Sequence, residues 1–240
     1  MSKKQRNSLI LSVIILLSIS LMAYFSEDID RLFYKVFPKE EVQSYDIGEI
    51  PEYNGNNYVT INNNTPNFEE YDYAATSFEK YSDLDYLGRA KTAFANISKE
   101  TMPTEKRGSI GMIKPSGWHT IKYDIVDGKY LYNRCHLIGY QLTGENANEK
   151  NLITCTRQMN TEGMLNFENE VAEYVKETNN HVLYRVTPIY KDDNLVATGV
   201  QIEASSVEDK GESVSFNIFV YNVQDGIEID YKTGNSKLVQ

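Results

Sequence analysis

The sequence predicts an α+β fold, an antiparallel β-sheet core with few helices. Strand-like runs closed by turn residues recur along the chain, one long stretch has helical apolar spacing, and no internal repeat is present. The 240 residues, 41% hydrophobic and 24% charged, suit a single folded domain with attachments.

The first segment is expected to stand apart from that fold. Lys3, Lys4 and Arg6 precede an uncharged, mostly apolar run from Ser8 to Phe25, at the short end of a membrane-spanning helix. The run ends in Leu21-Met22-Ala23-Tyr24-Phe25-Ser26 without a small-x-small cleavage site, which favours an uncleaved anchor over a cleaved signal. Basic residues before it and Glu27, Asp28 and Asp30 after it place the N-terminus in the cytoplasm and the rest outside. Residues 1–26 are therefore read as a membrane anchor of a single-pass protein, with secretion as the alternative. Residues 27–50 are read as a tether and residues 51–235 as the folded domain.

Within that domain the elements follow in order. Tyr58–Asn62 reads as a strand entering the polar turn Asn63–Pro66, and Ala90–Ile97 as a strand with helix as the alternative. Lys114–Gly117 is a turn, after which Trp118–Tyr123 forms a strand. Asp127-Gly128 signals a hairpin before Lys129–Asn133. From Asn160 to Lys176 the apolar residues Met164, Phe167, Val171 and Val175 fall on one helical face, with Gly163 marking a break or a late start. His181–Tyr190, Leu195–Ala204 and Val214–Val223 supply three further strands.

The formal net charge of −10 argues against a protein held to nucleic acid by a broad basic surface. Any nucleic-acid chemistry has to come from a local site with a metal ion. Cys135 and Cys155 are the only cysteines. They imply no disulfide framework, although one bridge between them is possible.

The informative segment is Asn133-Arg134-Cys135-His136-Leu137-Ile138-Gly139-Tyr140, followed by Asn151, Asn160 and Glu168. Phosphodiester hydrolysis needs a base for water, positive charge on the phosphoryl oxygens and stabilisation of the leaving oxygen. A neutral histidine suits the first task; a hard divalent cation with oxygen ligands suits the others. An asparagine carbonyl is such a ligand. Along a straight helix Glu168 would lie roughly 12 Å beyond Asn160, so it belongs on a metal-bound or attacking water and not on the same ion. Each residue also has an ordinary reading: a structural histidine, a helix-capping Asn160, a solvated Glu168, a surface Arg107.

The set resembles the DNA/RNA non-specific endonuclease family, the ββα-metal nucleases, of the DNA-entry type. That family carries Asp-Arg-Gly-His, an asparagine, a second asparagine nine residues later, and a glutamate on the following helix. The order and intervals of Asn133-Arg134-Cys135-His136, Asn151, Asn160 and Glu168 agree with this pattern. The resemblance implies a nuclease acting on DNA, with RNA as an alternative substrate, and with Mg²⁺ as cofactor and Mn²⁺ as a substitute. It implies His136 as general base, Asn160 as the direct metal ligand, Asn151 as an organiser of the loop, and Glu168 on a metal-bound water. It implies Arg107 as the phosphate clamp, with Arg89 as the alternative, and puts Arg134 on the substrate side.

The sequence departs from the family motif at Asn133, where aspartate is usual, and at Cys135, where glycine is usual. Asparagine can orient a histidine but lacks the charge that raises its basicity; if a backbone carbonyl orients the ring, the change matters little. Two rivals stand beside the nuclease reading. A cysteine–histidine hydrolase is disfavoured because adjacent residues on a strand point to opposite faces. An anchored, inactive receptor for nucleic acid is disfavoured because the histidine, both asparagines and the glutamate are all present.

Overall fold

The computed structural model describes residues 43–239 apart from Ala75. The apolar run from Ser8 to Phe25, expected to span a membrane, lies outside the described residues. Among those described, no helix is long and apolar enough to cross a membrane.

The strands are β1 (Ser44–Tyr45), β2 (Tyr58–Ile61), β3 (Phe78–Tyr81), β4 (Ala93–Ile97), β5 (Tyr132–His136), β6 (Leu152–Thr156), β7 (Val182–Ile189), β8 (Gly199–Ser206), β9 (Ser215–Tyr221), β10 (Ile227–Asp230) and β11 (Asn235–Leu238). The helices are α1 (Tyr140–Thr143) and α2 (Leu165–Thr178). Seven strands form one sheet in the order β1-β2-β9-β8-β7-β4-β3, antiparallel except for the β1–β2 pair. β5–β6 and β10–β11 are separate antiparallel ribbons.

Period-two alternation explains why one face of this sheet carries the core. On that face Val182, Tyr184 and Val186 of β7, Val200, Ile202 and Ala204 of β8, and Phe216, Ile218 and Val220 of β9 are buried in one cluster. Val171, Ala172 and Val175 of α2 close over them with Cys135, Ile153 and Cys155 of the β5–β6 ribbon, and Phe167 packs half-buried at the edge. Arg185 and Thr187, the alternate residues of β7, face the other way. The helix stops at Asn179, whose left-handed backbone (φ 63°) returns its N–H to the Val175 carbonyl.

Three expectations are corrected. The folded body begins before residue 51: Ser44 and Tyr45 pair with Thr60 and Ile61, and Tyr45, Ile50 and Tyr53 pack on Ile61, Phe219 and Tyr221. Trp118–Tyr123 is not a strand. Only Lys122 bridges Tyr130, while Trp118, Ile121 and Tyr123 pack on a small cluster of Val126, Leu131, Tyr132 and Ile227. Their apolar pattern answers to that cluster and to no sheet. The Asp127-Gly128 turn does form, with Gly128 and Lys129 at positive φ and the Lys129 N–H on the Val126 carbonyl at 2.8 Å. The strand that follows begins at Tyr132, later than expected. The late helix start marked by Gly163 is present: a π-helical turn covers Met159–Met164, and regular helix begins at Leu165. Gly163 permits this turn, because a Cβ there would overlap Val220 of β9.

Candidate active site

β5, β6 and α2 together form a ribbon-and-helix unit on the core face of the sheet. Alternation along β5 sends Cys135 into the core and His136 to the opposite side. Cys135 and Cys155 form a disulfide between the paired strands, with their Cα atoms 5.8 Å apart. Cys135 is fully buried in the core on the side opposite His136, so the two do not form a nucleophile–base pair.

His136 is buried, with 6% of its surface exposed. Its Nε2 lies 2.8 Å from the Asn146 carbonyl oxygen and its Nδ1 3.2 Å from Arg107 Nη2. A carbonyl only accepts and a guanidinium only donates, so Nε2 carries the proton and Nδ1 presents the lone pair. Burial pushes the His136 pKa below its ordinary value; the Asn146 carbonyl pulls it back and the Arg107 charge lowers it further. The imidazole is therefore neutral at pH 7. Its orienting group is a backbone carbonyl, which the identity of residue 133 does not alter.

Arg107 sits on the long irregular segment between β4 and β5, an unusual length for a connection in a compact domain. That segment is pinned to the unit beneath it. Thr101 Oγ1 donates to the Leu142 carbonyl (2.7 Å), the Tyr140 hydroxyl donates to the Glu105 carbonyl (2.8 Å), and the Arg134 guanidinium donates to the Ile113 and Gly111 carbonyls. An exposed loop arginine is thereby held at His136.

Asn151 is fully buried and chelates one residue of backbone. Its Oδ1 accepts from the Ile138 N–H at 2.9 Å and its Nδ2 donates to the Ile138 carbonyl at 3.0 Å. It fixes the turn leaving β5. Glu168 lies on the first turn of α2 with its carboxyl against Gly139, where a Cβ would overlap it. Burial raises its pKa to about 7, while Gln141 and Arg107 pull it down.

Asn160 falls in the π-helical turn and caps nothing: neither that turn nor α2 has a side-chain cap. Its side chain makes no hydrogen bond to a described residue and lines a cavity of about 480 Å³ with Arg107, Asn133 and Arg134. Arg107 thus belongs both to the histidine and to the cleft. Arg89 does not join them. It is paired with Asp85 at 2.6 Å, donates to the Asp192 and Asn194 carbonyls at 2.7 and 2.9 Å, and stacks on Tyr190. Its donors hold a loop, so Arg107 remains the candidate clamp. Arg134 reaches the cleft but also tethers the Arg107 segment and stacks on Trp118 at 3.9 Å. Sequence reasoning missed Asn146, which acts through its backbone, and Gly139, which acts by lacking a side chain.

A family model described as DNA/RNA non-specific endonuclease matches residues 66–208. The chain belongs to this family. Among solved structures, it is similar to NucA from Streptococcus agalactiae with magnesium bound, at 27% identity and a TM-score of 0.70, covering 81% of this chain and 94% of that one. It is also similar to the Sda1 nuclease with bound zinc, at 28% identity and a TM-score of 0.57, covering 68% and 80%. The sheet-rich architecture with few helices is that of these nucleases.

The donor set fits a hard divalent cation. Among the described residues no group of three or more histidines, cysteines or carboxylates is placed to hold a metal, so a closed nitrogen or thiolate site is not formed. What the cleft offers is an amide oxygen on Asn160 without a partner among the described residues, open to water and phosphate oxygens.

Proposed function

We propose that this chain is an Mg²⁺-dependent endonuclease that hydrolyses the phosphodiester bonds of DNA and also of RNA, with Mn²⁺ as a substitute ion. One observation carries the reading: the lone pair of a buried, neutral His136 is turned toward Arg107, which lines the same cleft as Asn160. In the substrate-free protein Arg107 donates to His136 Nδ1. A phosphate is a stronger acceptor for that guanidinium. Its arrival draws Arg107 onto the non-bridging oxygens and frees Nδ1 to take a proton from water. The Asn146 carbonyl then stabilises the imidazolium through Nε2–H. Asn160 would hold the cation and Glu168 a water beside it; bound there, the cation supplies Lewis-acid stabilisation of phosphoryl charge. Asn151 keeps the turn that carries Gly139 and His136 in register.

Residues 1–26 anchor the protein in a membrane with the folded body outside, a reading supported by the charge flanking the apolar run. The full-length chain should degrade plasmid DNA and RNA with Mg²⁺ or Mn²⁺ and stop when chelator is added. Folded, metal-supplied protein that leaves both substrates intact would overturn the enzyme reading in favour of an inactive receptor.

A further inference from the structure

The cleft extends past the groups that the hydrolytic step uses. Trp118, Tyr130 and Arg157 also wall it, and no carboxylate does among the described residues. In a protein of net charge −10, three arginines (Arg107, Arg134 and Arg157) face one cavity. Arg157 is held by Asp127 at 2.9 Å from outside the cavity. Two aromatic rings stand among these charges, each with a cation over one face: Arg134 over Trp118 at 3.9 Å, and Lys122 over Tyr130 at 4.4 Å. Tyr130 remains 48% exposed, although a tyrosine ring gains by burial. Rings polarised by cations beside guanidinium groups are the components of surfaces that grip unpaired nucleotides: bases stack on the rings and phosphates lie on the charges.

We propose that this wall is a subsite for one unpaired nucleotide adjoining the scissile phosphate, its base stacked on Tyr130 beside Trp118 and its own phosphate on Arg157. The inference rests on the hydrolytic reading of the same cleft and deepens it, naming single-stranded or locally opened nucleic acid as the preferred substrate. In an intact duplex the base faces are already stacked and cannot reach the ring.

Trp118 is the only tryptophan in the chain, so its fluorescence reports on this wall. The test is a titration of the full-length His136→Ala protein in chelator with two single-stranded DNA oligomers of equal length and charge. One carries all its bases; the other is abasic at its central positions. The base-bearing oligomer should bind about tenfold more tightly. Tyr130→Ala should reduce its affinity to that of the abasic oligomer, and Tyr130→Phe should restore the difference. Equal affinities in the parent, an equal loss on both oligomers in Tyr130→Ala, or no binding of either would overturn the subsite. Because binding is read without turnover, failure of the wild-type chain to cleave would count against the hydrolytic reading alone.

Discussion

Two polar hollows among the described residues differ in kind, and the larger of the two is not the candidate active site. The hollow on the outer face of the sheet, about 710 Å³, is lined by Arg185, Glu203, Gln201 and Asn217; the cleft at Arg107 and Asn160 is about 480 Å³. In the larger hollow the polar groups satisfy one another. Arg185 Nε donates to Glu203 at 2.8 Å, Glu203 accepts the Asn67 N–H at 2.9 Å, and Gln201 donates to Asn217 at 2.9 Å. Arg185 also lies over Phe68 at 4.8 Å. These bonds seal the 66–68 segment onto the sheet. In the smaller cleft Arg107 bonds only a histidine lone pair, and Asn160 has no partner among the described residues. Uncommitted hydrogen-bonding capacity, more than volume, distinguishes the place where a ligand can be held.

The comparison is broken most directly at His136. His136→Ala should lower the cleavage rate by at least 10²–10⁴-fold, about what a positioned general base contributes, while circular dichroism and melting temperature stay near those of the parent. Plasmid cleavage at parental rate would place the chemistry elsewhere.

Two arginines sharpen the contrast. Arg107→Ala should reduce kcat/KM by about 100-fold through loss of a charged phosphate contact, with little change in stability, since the side chain is exposed. Arg185→Ala should do the reverse. It strips the counter-charge from Glu203, whose side chain is 5% exposed, and should cost on the order of 2–3 kcal/mol of stability with specific activity retained. Denaturant melts and cleavage assays on both variants decide it; a loss of activity without loss of stability in Arg185→Ala would make the outer hollow functional.

These paired predictions also show what was readable in advance. The alternation of β7, β8 and β9 and the spacing of Met164, Phe167, Val171 and Val175 placed the sheet and its helix, because burial on one face imposes a period on side chains. His136, Asn151, Asn160 and Glu168 came from a resemblance, since taken singly each has an ordinary role. The segment between β4 and β5 obeyed no period. Its shape is set by side chains donating to backbone carbonyls, as Arg134 does to Gly111, and such acceptors are identical at every residue. Asn146 was invisible for the same reason. Arg89 was the alternative to Arg107, and its partners Asp85, Asp192 and Asn194 commit it to a loop.

Gly139 carries a smaller effect that tests the Glu168 side of the site. A Cβ at this position would overlap the Glu168 carboxyl, so Gly139→Ala should displace that group and slow cleavage by about tenfold, the low end for perturbing a group that orients metal-bound water. The backbone there is at φ −57°, compatible with alanine, so stability should change little. Unchanged cleavage would mean that the Glu168 position is not critical.

The smallest expected effect is a displacement along the pH axis. His136 acts as a base only when neutral, so activity is lost as pH falls through its pKa. Burial and the Arg107 charge set that pKa below the ordinary 6.5; the acid limb of kcat/KM should therefore have its midpoint below 6.5. Arg107→Ala removes one of the lowering influences and leaves the Asn146 hydrogen bond in place. Its residual activity should consequently show a limb moved toward higher pH, even as its height falls. A limb that stays fixed while the height drops would separate Arg107 from the histidine and leave it a clamp on phosphate alone. A limb that moves would show that one guanidinium both restrains the base before substrate arrives and holds the phosphate afterwards.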